Sequence, residues 1–229
     1  MENVYFSVVI GGLIIGIISY LIGSVNFSII LSRAISGKDI RESGSGNAGA
    51  TNMLRTHGKK MGVITLLLDV VKGVVCVLIA VLFEKYLISS AQAQGNYEAV
   101  SALTAAALPY IAGVCVILGH NFPLYFKFKG GKGVATSLGV VLVLDWKVGL
   151  IVGLCAIAVM AATRYVSLGS VLGGGAYIVV EAVKMFVTHD VIVVRLICVI
   201  IMGGLLIGRH HANIKRLLNG TENKLGGKK

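Results

Sequence analysis

The stretch Ser43-Gly44-Ser45-Gly46-Asn47-Ala48-Gly49-Ala50-Thr51-Asn52 packs hydroxyls, amides and glycines closely together, and Arg55 follows it. Glycine reaches backbone conformations that other residues avoid, so N–H groups there can converge on a ligand. An arginine fork nearby suits bidentate contact with a phosphate. A second stretch, Lys127-Phe128-Lys129-Gly130-Gly131-Lys132-Gly133, is basic and glycine-rich and runs into an apolar segment. Gly130, Gly131 and Gly133 are expected to expose amides around Lys132, and if that segment opens as a helix, its free N–H groups and dipole also favour an anion. A third group closes the last apolar run: Gly208-Arg209-His210-His211-Ala212-Asn213-Ile214-Lys215-Arg216. On a continuous helix His210 and Asn213 share one face, and His211 and Lys215 another. A histidine so placed can orient a hydroxyl or take its proton. Each group also has a plainer reading. These are a tight turn with Arg55 as a topology anchor, a basic loop held at the headgroups, and snorkelling at a helix end.

Three familiar chemistries fail on spacing. A Walker loop needs Ser or Thr after its lysine and glycine six residues before it, whereas Gly133 and Phe126 flank Lys132 at those places. A Gly-x-Ser-x-Gly nucleophile elbow around Ser45 has Ser43 and Asn47 in the glycine places. No histidine (His57, His120, His189, His210 or His211) is followed five residues on by aspartate, the pattern of acyltransferases that use acyl thioesters. Asp69 and Lys72 lie three apart inside an apolar run, where ionisable groups are costly and face a bundle interior. They read equally as a structural pair or as support for a site. Ser167, after Arg164-Tyr165-Val166, reads on spacing as an N-cap.

The elements that must position these groups are membrane helices. Of 229 residues 56% are hydrophobic and 14% charged, with mean hydropathy +0.87, a composition that excludes an ordinary soluble domain. The 30 glycines against 2 prolines fit closely approaching membrane helices. The formal charge of +11 would suggest nucleic acid in a soluble protein, but the basic residues flank apolar runs. Cys76, Cys115, Cys155 and Cys198 stand singly in apolar runs, with no metal or disulfide spacing. The N-terminus carries Glu2 and no basic segment before its long apolar run, so it reads as a retained first helix.

A hydrocarbon core about 30 Å thick needs about 20 helical residues. The expected helices lie near 4–32, 61–84, 101–119, 133–145, 148–163, 167–187 and 191–208, with the fourth and fifth alternatively one re-entrant hairpin. The segments 33–60, 119–132, 164–166 and 209–229 hold 16 of the 21 Lys and Arg. The positive-inside rule then puts the N-terminus outside, the C-terminus in the cytoplasm, and all three polar groups on the cytoplasmic face. Residues 88–100 read as a polar outer loop. The tail from about 219 reads as solvated or touching anionic lipid.

Three stretches together resemble one family. They are Gly44 to Asn52; Gly119-His120-Asn121-Phe122-Pro123 running on to Lys129-Gly130-Gly131-Lys132-Gly133-Val134-Ala135-Thr136; and Arg209-His210 with Asn213. The chain is similar over essentially its whole length to the bacterial membrane glycerol-3-phosphate acyltransferases that use acyl phosphate. That resemblance implies a single all-α domain of about seven membrane helices over residues 1–229, in the bacterial inner or plasma membrane, with the site facing the cytoplasm. It implies transfer of a fatty acyl group from acyl phosphate to the sn-1 hydroxyl of glycerol 3-phosphate. The products are lysophosphatidic acid and inorganic phosphate, made in phospholipid synthesis without metal or other cofactor.

By the same resemblance Ser45, Arg55, Lys132, His210 and Asn213 form the catalytic set. Gly44, Gly46, Asn47, Thr51, Asn52, Gly130, Gly131, Gly133 and Ser167 bind substrate. The implied partners are the two substrates, membrane lipids and, functionally, the enzyme that makes acyl phosphate, with no nucleic acid. Two positions depart from the family pattern: Ala48 stands where proline or valine is common, and His211-Ala212 replaces a common Arg-Glu pair. The rival from another class is an anion or phosphate-ester transporter. Transporters favour internal repeats and a midplane site, and this sequence shows neither.

Overall fold

A computed structural model describes residues 2–226, and every regular element among them is helical. The α-helices are α1 (Glu2–Ser24), α2 (Phe27–Ser36), α3 (Ala50–Ala93), α4 (Tyr97–Ala106), α5 (Leu108–Asn121), α6 (Val134–Leu144), α7 (Trp146–Thr163), α8 (Val166–Val187), α9 (Val193–Arg209) and α10 (His211–Leu218). Short 3-10 turns cover Ile40–Glu42 and Leu124–Phe126. By length and composition five segments could cross a membrane, at Val8–Ser36, Ala50–Ala93, Tyr97–Phe126, Trp146–Thr163 and Val166–Val187. The pair α9 and α10, bent by 56°, makes a sixth if counted as one span. A seventh crossing rests on α6, whose 11 residues rise about 16 Å, roughly half of the hydrocarbon core.

Several expected boundaries move, each for a local reason. The first apolar run breaks after Ser24 because Asn26 is extended (φ −100°, ψ 100°) and caps α2 by accepting from the Ile29 N–H. The second helix starts at Ala50, not near 61, and bends at Gly58, whose φ of 82° and ψ of 178° leave the helical region. Thr51, Asn52 and Arg55 are therefore on the first turns of α3 rather than in a loop. The expected outer loop at 88–100 is mostly helix, because α3 runs to Ala93 and α4 starts at Tyr97. Ala107 (φ 52°) separates α4 from α5, and Pro109, which has no N–H to donate, sits in the first turn of α5.

The contacts divide the chain into two compact units, Met1–Leu144 and Asp145–Lys229. In the first, α1 packs on α5, and α3 on α5 and α6. Glycine makes those approaches possible. A Cβ on Gly23 would lie 2.3 Å from the Val116 carbonyl oxygen, and one on Gly139 would lie 2.1 Å from that of Val70. In lipid, where burial between helices brings little hydrophobic gain, such close van der Waals contact is what holds helices together. In the second unit α8 packs on both α7 and α9, and Gly169 lets α8 approach the Ala156 carbonyl. Large apolar side chains such as Leu67, Leu82, Ile151 and Leu154 face outward, as a lipid-facing surface requires.

Candidate active site

In the first unit the loop before α3 turns through Gly44 (φ 59°) and Gly46 (φ 72°). Asn52, 1% exposed, holds it from within. Its Nδ2 donates to the carbonyls of Ile40 (3.1 Å) and Ser43 (2.9 Å), and its Oδ1 accepts from the Ser45 N–H at 2.9 Å. Asn52, expected to touch substrate, thus has its carboxamide committed to shaping the loop. Ser45 and Arg55 are exposed beside it, and Asn47 and Thr51 are half-buried.

The second glycine loop corrects an expectation. Gly130 and Gly131 do not present free amides: their N–H groups donate to the carbonyls of Asn121 and His120, both at 3.2 Å. They are glycines because of close approach. A Cβ on Gly130 would lie 2.1 Å from the His120 carbonyl oxygen. On Gly131 it would lie 2.2 Å from His120 Nε2 and 2.5 Å from the Ala48 carbonyl oxygen. The second loop therefore rests on the first. Gly133 turns at φ 82°, and α6 starts at Val134. The first turn of a helix has no intrahelical acceptors for its N–H groups, and Lys132 and Gly133 lead directly into that turn.

Behind this loop lies a buried polar cluster in which Asp69 and Lys72 do pair with each other. Lys72 Nζ is 2.9 Å from Asp69 Oδ1. It also donates to the carbonyls of Gly23 (3.2 Å) and Val25 (2.9 Å), where α1 ends, and lies 2.9 Å from His120 Nδ1. His120 Nδ1 is itself 3.5 Å from Asp69 Oδ1, so all three side chains meet behind Gly131.

In the second unit the helix breaks at His210 (φ −99°, ψ 8°) instead of continuing, yet His210 and Asn213 are both buried while His211 is exposed. His210 Nδ1 lies 2.8 Å from the Leu206 carbonyl and must donate to it. In the neutral ring Nε2 is then the nitrogen that can accept a proton. Ser167 is not an N-cap: Tyr165 holds that place, without a side-chain bond. Its hydroxyl donates to Glu222 Oε1 (3.0 Å), which also accepts from Asn213 Nδ2 (2.7 Å), while Arg216 Nε donates to Oε2 (2.7 Å).

The tail is thus tied back at Glu222, while residues 219–221 and 223–226 remain exposed. Leu225 closes it by accepting from the Arg164 side chain and donating to the Arg164 carbonyl. Glu222 escaped the sequence reading, although it is the one acidic residue after Asp190. Burial raises its pKa, but the bonds from Asn213, Arg216 and Ser167 outweigh that and lower it.

A depressed folded pKa stabilises above the unfolded value, about 4.3 for glutamate, and the gain disappears as pH falls through the folded value. Glu222→Gln is therefore expected to unfold at lower temperature than the parent at pH 7. The gap should close below about pH 4 in a detergent melting series. A gap that stays constant with pH would count against the ionised Glu222.

Helices long and apolar enough to cross a membrane, joined by glycine-rich loops, define a polytopic membrane protein. The family model described as glycerol-3-phosphate acyltransferase matches residues 13–220. Glycerol-3-phosphate acyltransferases of Clostridioides difficile (42% identical over 95% of this chain and 97% of that protein) and Thermoanaerobacter pseudethanolicus (43%, over 93% and 94%) are similar to it. So is the crystal structure of PlsY, an integral membrane glycerol 3-phosphate acyltransferase, in its glycerol 3-phosphate form. It has a TM-score of 0.78 and 37% identity over 94% of this chain and 96% of that one. The lysophosphatidic acid form aligns with a TM-score of 0.73. The chain belongs to the glycerol-3-phosphate acyltransferase family.

Proposed function

We propose that the protein transfers a fatty acyl group from acyl phosphate to the sn-1 hydroxyl of glycerol 3-phosphate, releasing lysophosphatidic acid and inorganic phosphate. It would act at the cytoplasmic face of the bacterial inner or plasma membrane, with the N-terminus outside. The observation that carries this reading is the seating of one glycine loop on the other in a chain of this family. An acyl phosphate is already an activated mixed anhydride, so the glycerol hydroxyl attacks the acyl carbonyl directly and no covalent enzyme intermediate is required. Lys132, Gly133 and the opening turn of α6 hold the donor phosphate and stabilise charge as it leaves. Gly130 and Gly131 let that loop approach His120 and Ala48.

By the family resemblance Arg55, His210 and Asn213 handle glycerol 3-phosphate, and Ser45, Asn47 and Thr51 bond polar oxygens; the Ser167 hydroxyl serves Glu222 instead, and Gly44 and Gly46 give the first loop its turn. Orientation of this kind supplies about 7–11 kcal/mol of barrier lowering. If His210 Nε2 accepts the hydroxyl proton, His210→Ala lowers kcat by about 10²–10⁴-fold at saturating glycerol 3-phosphate. A full rate would assign that proton to a substrate phosphate instead. The whole reading is tested by supplying palmitoyl phosphate or palmitoyl-CoA to purified protein with glycerol 3-phosphate and following lysophosphatidic acid. Product is expected from the phosphate alone. Product from the thioester, or from neither donor, would overturn the reading.

A further inference from the structure

We propose that Arg41 is a positioning residue that clasps the backbone leading into Gly130-Gly131-Lys132 and so sets the shape in which that loop meets a substrate phosphate. This rests on the function proposed above. Arg41 lies in the 3-10 turn Ile40–Glu42, just before the first glycine loop. Its fork faces the Asp39 carboxylate, with Nε donating to Oδ1 (2.9 Å) and Nη2 to Oδ2 (2.8 Å). Its remaining nitrogen, Nη1, donates to two carbonyls of the second loop, Phe126 (2.9 Å) and Lys129 (3.0 Å).

Those two carbonyls bracket the strained part of the loop. Lys127 and Phe128 both adopt φ 57°, in the left-handed region that L side chains rarely enter. Such backbone persists only where its surroundings over-determine it. The loop's own bonds are Phe128 N–H to the Pro123 carbonyl (3.0 Å) and Lys129 N–H to that of Phe126 (3.3 Å). Arg41 adds a tie from outside on either side of the strained pair, and the second tie lies one residue before Gly130.

The clasp is itself fixed in place. Asp39, 8% exposed, accepts from the Arg41 backbone N–H (3.0 Å) and from Arg33 Nη2 (2.7 Å). Hydrogen bonding by the Arg41 side chain, the largest influence, outweighs burial and lowers the Asp39 pKa to about 2, so the carboxylate stays ionised throughout the working pH range. A lysine could not replace Arg41. Its ammonium is a point charge, whereas this position needs a planar fork that meets a carboxylate and a peptide backbone together.

The test compares Arg41→Lys, Arg41→Ala and Asp39→Asn with the parent in detergent. Arg41→Lys is expected to melt close to the parent and Asp39→Asn below it, because the ionised Asp39 carboxylate stabilises the fold at pH 7, while all three variants show kcat/KM for palmitoyl phosphate lowered at least 10-fold. Ethylguanidinium should restore part of the activity of Arg41→Ala. It should restore none in Asp39→Asn/Arg41→Ala, where no carboxylate remains to seat it. Trypsin should cleave the Arg41 variants after Lys127 or Lys129 faster than the parent, a readout that needs no turnover. An inactive parent would defeat the functional reading while leaving the cleavage test of the clasp intact. Arg41→Lys with parental kcat/KM and parental cleavage would overturn the proposal, as would equal rescue of the single and double variants.

Discussion

Replacing Lys132 with alanine is expected to lower kcat/KM for acyl phosphate by about 10²–10³-fold, the usual cost of removing one preorganised donor to developing charge. The folded protein should be unaffected. Lys132 is half-buried, between two glycines held by carbonyl contacts and the helix start at Val134. Gly130 and Gly131 take their shape from His120, Asn121 and Ala48, and the melting curve separates loss of charge from loss of fold. Steady-state rates against palmitoyl phosphate, with a melting curve on the same sample, check this. A variant with parental rate and affinity would place the donor phosphate elsewhere.

Lys72→Met is expected to act in the opposite way, on stability before chemistry. Removing one partner of a buried ion pair leaves an uncompensated charge, at a cost of about 3–5 kcal/mol. Here Asp69, 2% exposed, would lose its ammonium, and the carbonyls of Gly23 and Val25 would lose their donor at the end of α1. Adding Asp69→Asn should recover much of the loss, because no buried charge then remains. Melting temperatures of the single and double variants in one detergent give the comparison. Equal destabilisation of both would mean that the carbonyl contacts, not the ion pair, dominate.

How much of this was legible in the sequence depends on the kind of signal. The polar groups announced themselves because glycines, hydroxyls and bases are conspicuous between apolar runs, but that the two loops touch, through Gly131 and Ala48, was not legible. Helix limits were less legible. Asn26 and Gly58 break helices through one capping bond and one backbone angle, neither of which alters hydropathy. Local spacing also misdirected the reading of Ser167, whose partner Glu222 lies 55 residues away. Arg41 and Glu222 were missed because each reaches groups distant in sequence, and Asp39 because its neighbours Arg33 and Arg41 make it pass for an ordinary solvated charge in a basic loop. Gly130 and Gly131 were recognised as essential for the wrong reason: their amides are occupied, and it is their missing Cβ atoms that matter.

The most direct test of direct acyl transfer is initial phosphate release measured over a grid of palmitoyl phosphate and glycerol 3-phosphate concentrations. Direct attack requires intersecting reciprocal plots and no stoichiometric release before glycerol 3-phosphate is added. Parallel plots with a burst of phosphate from palmitoyl phosphate alone would reveal an acylated enzyme and contradict the mechanism.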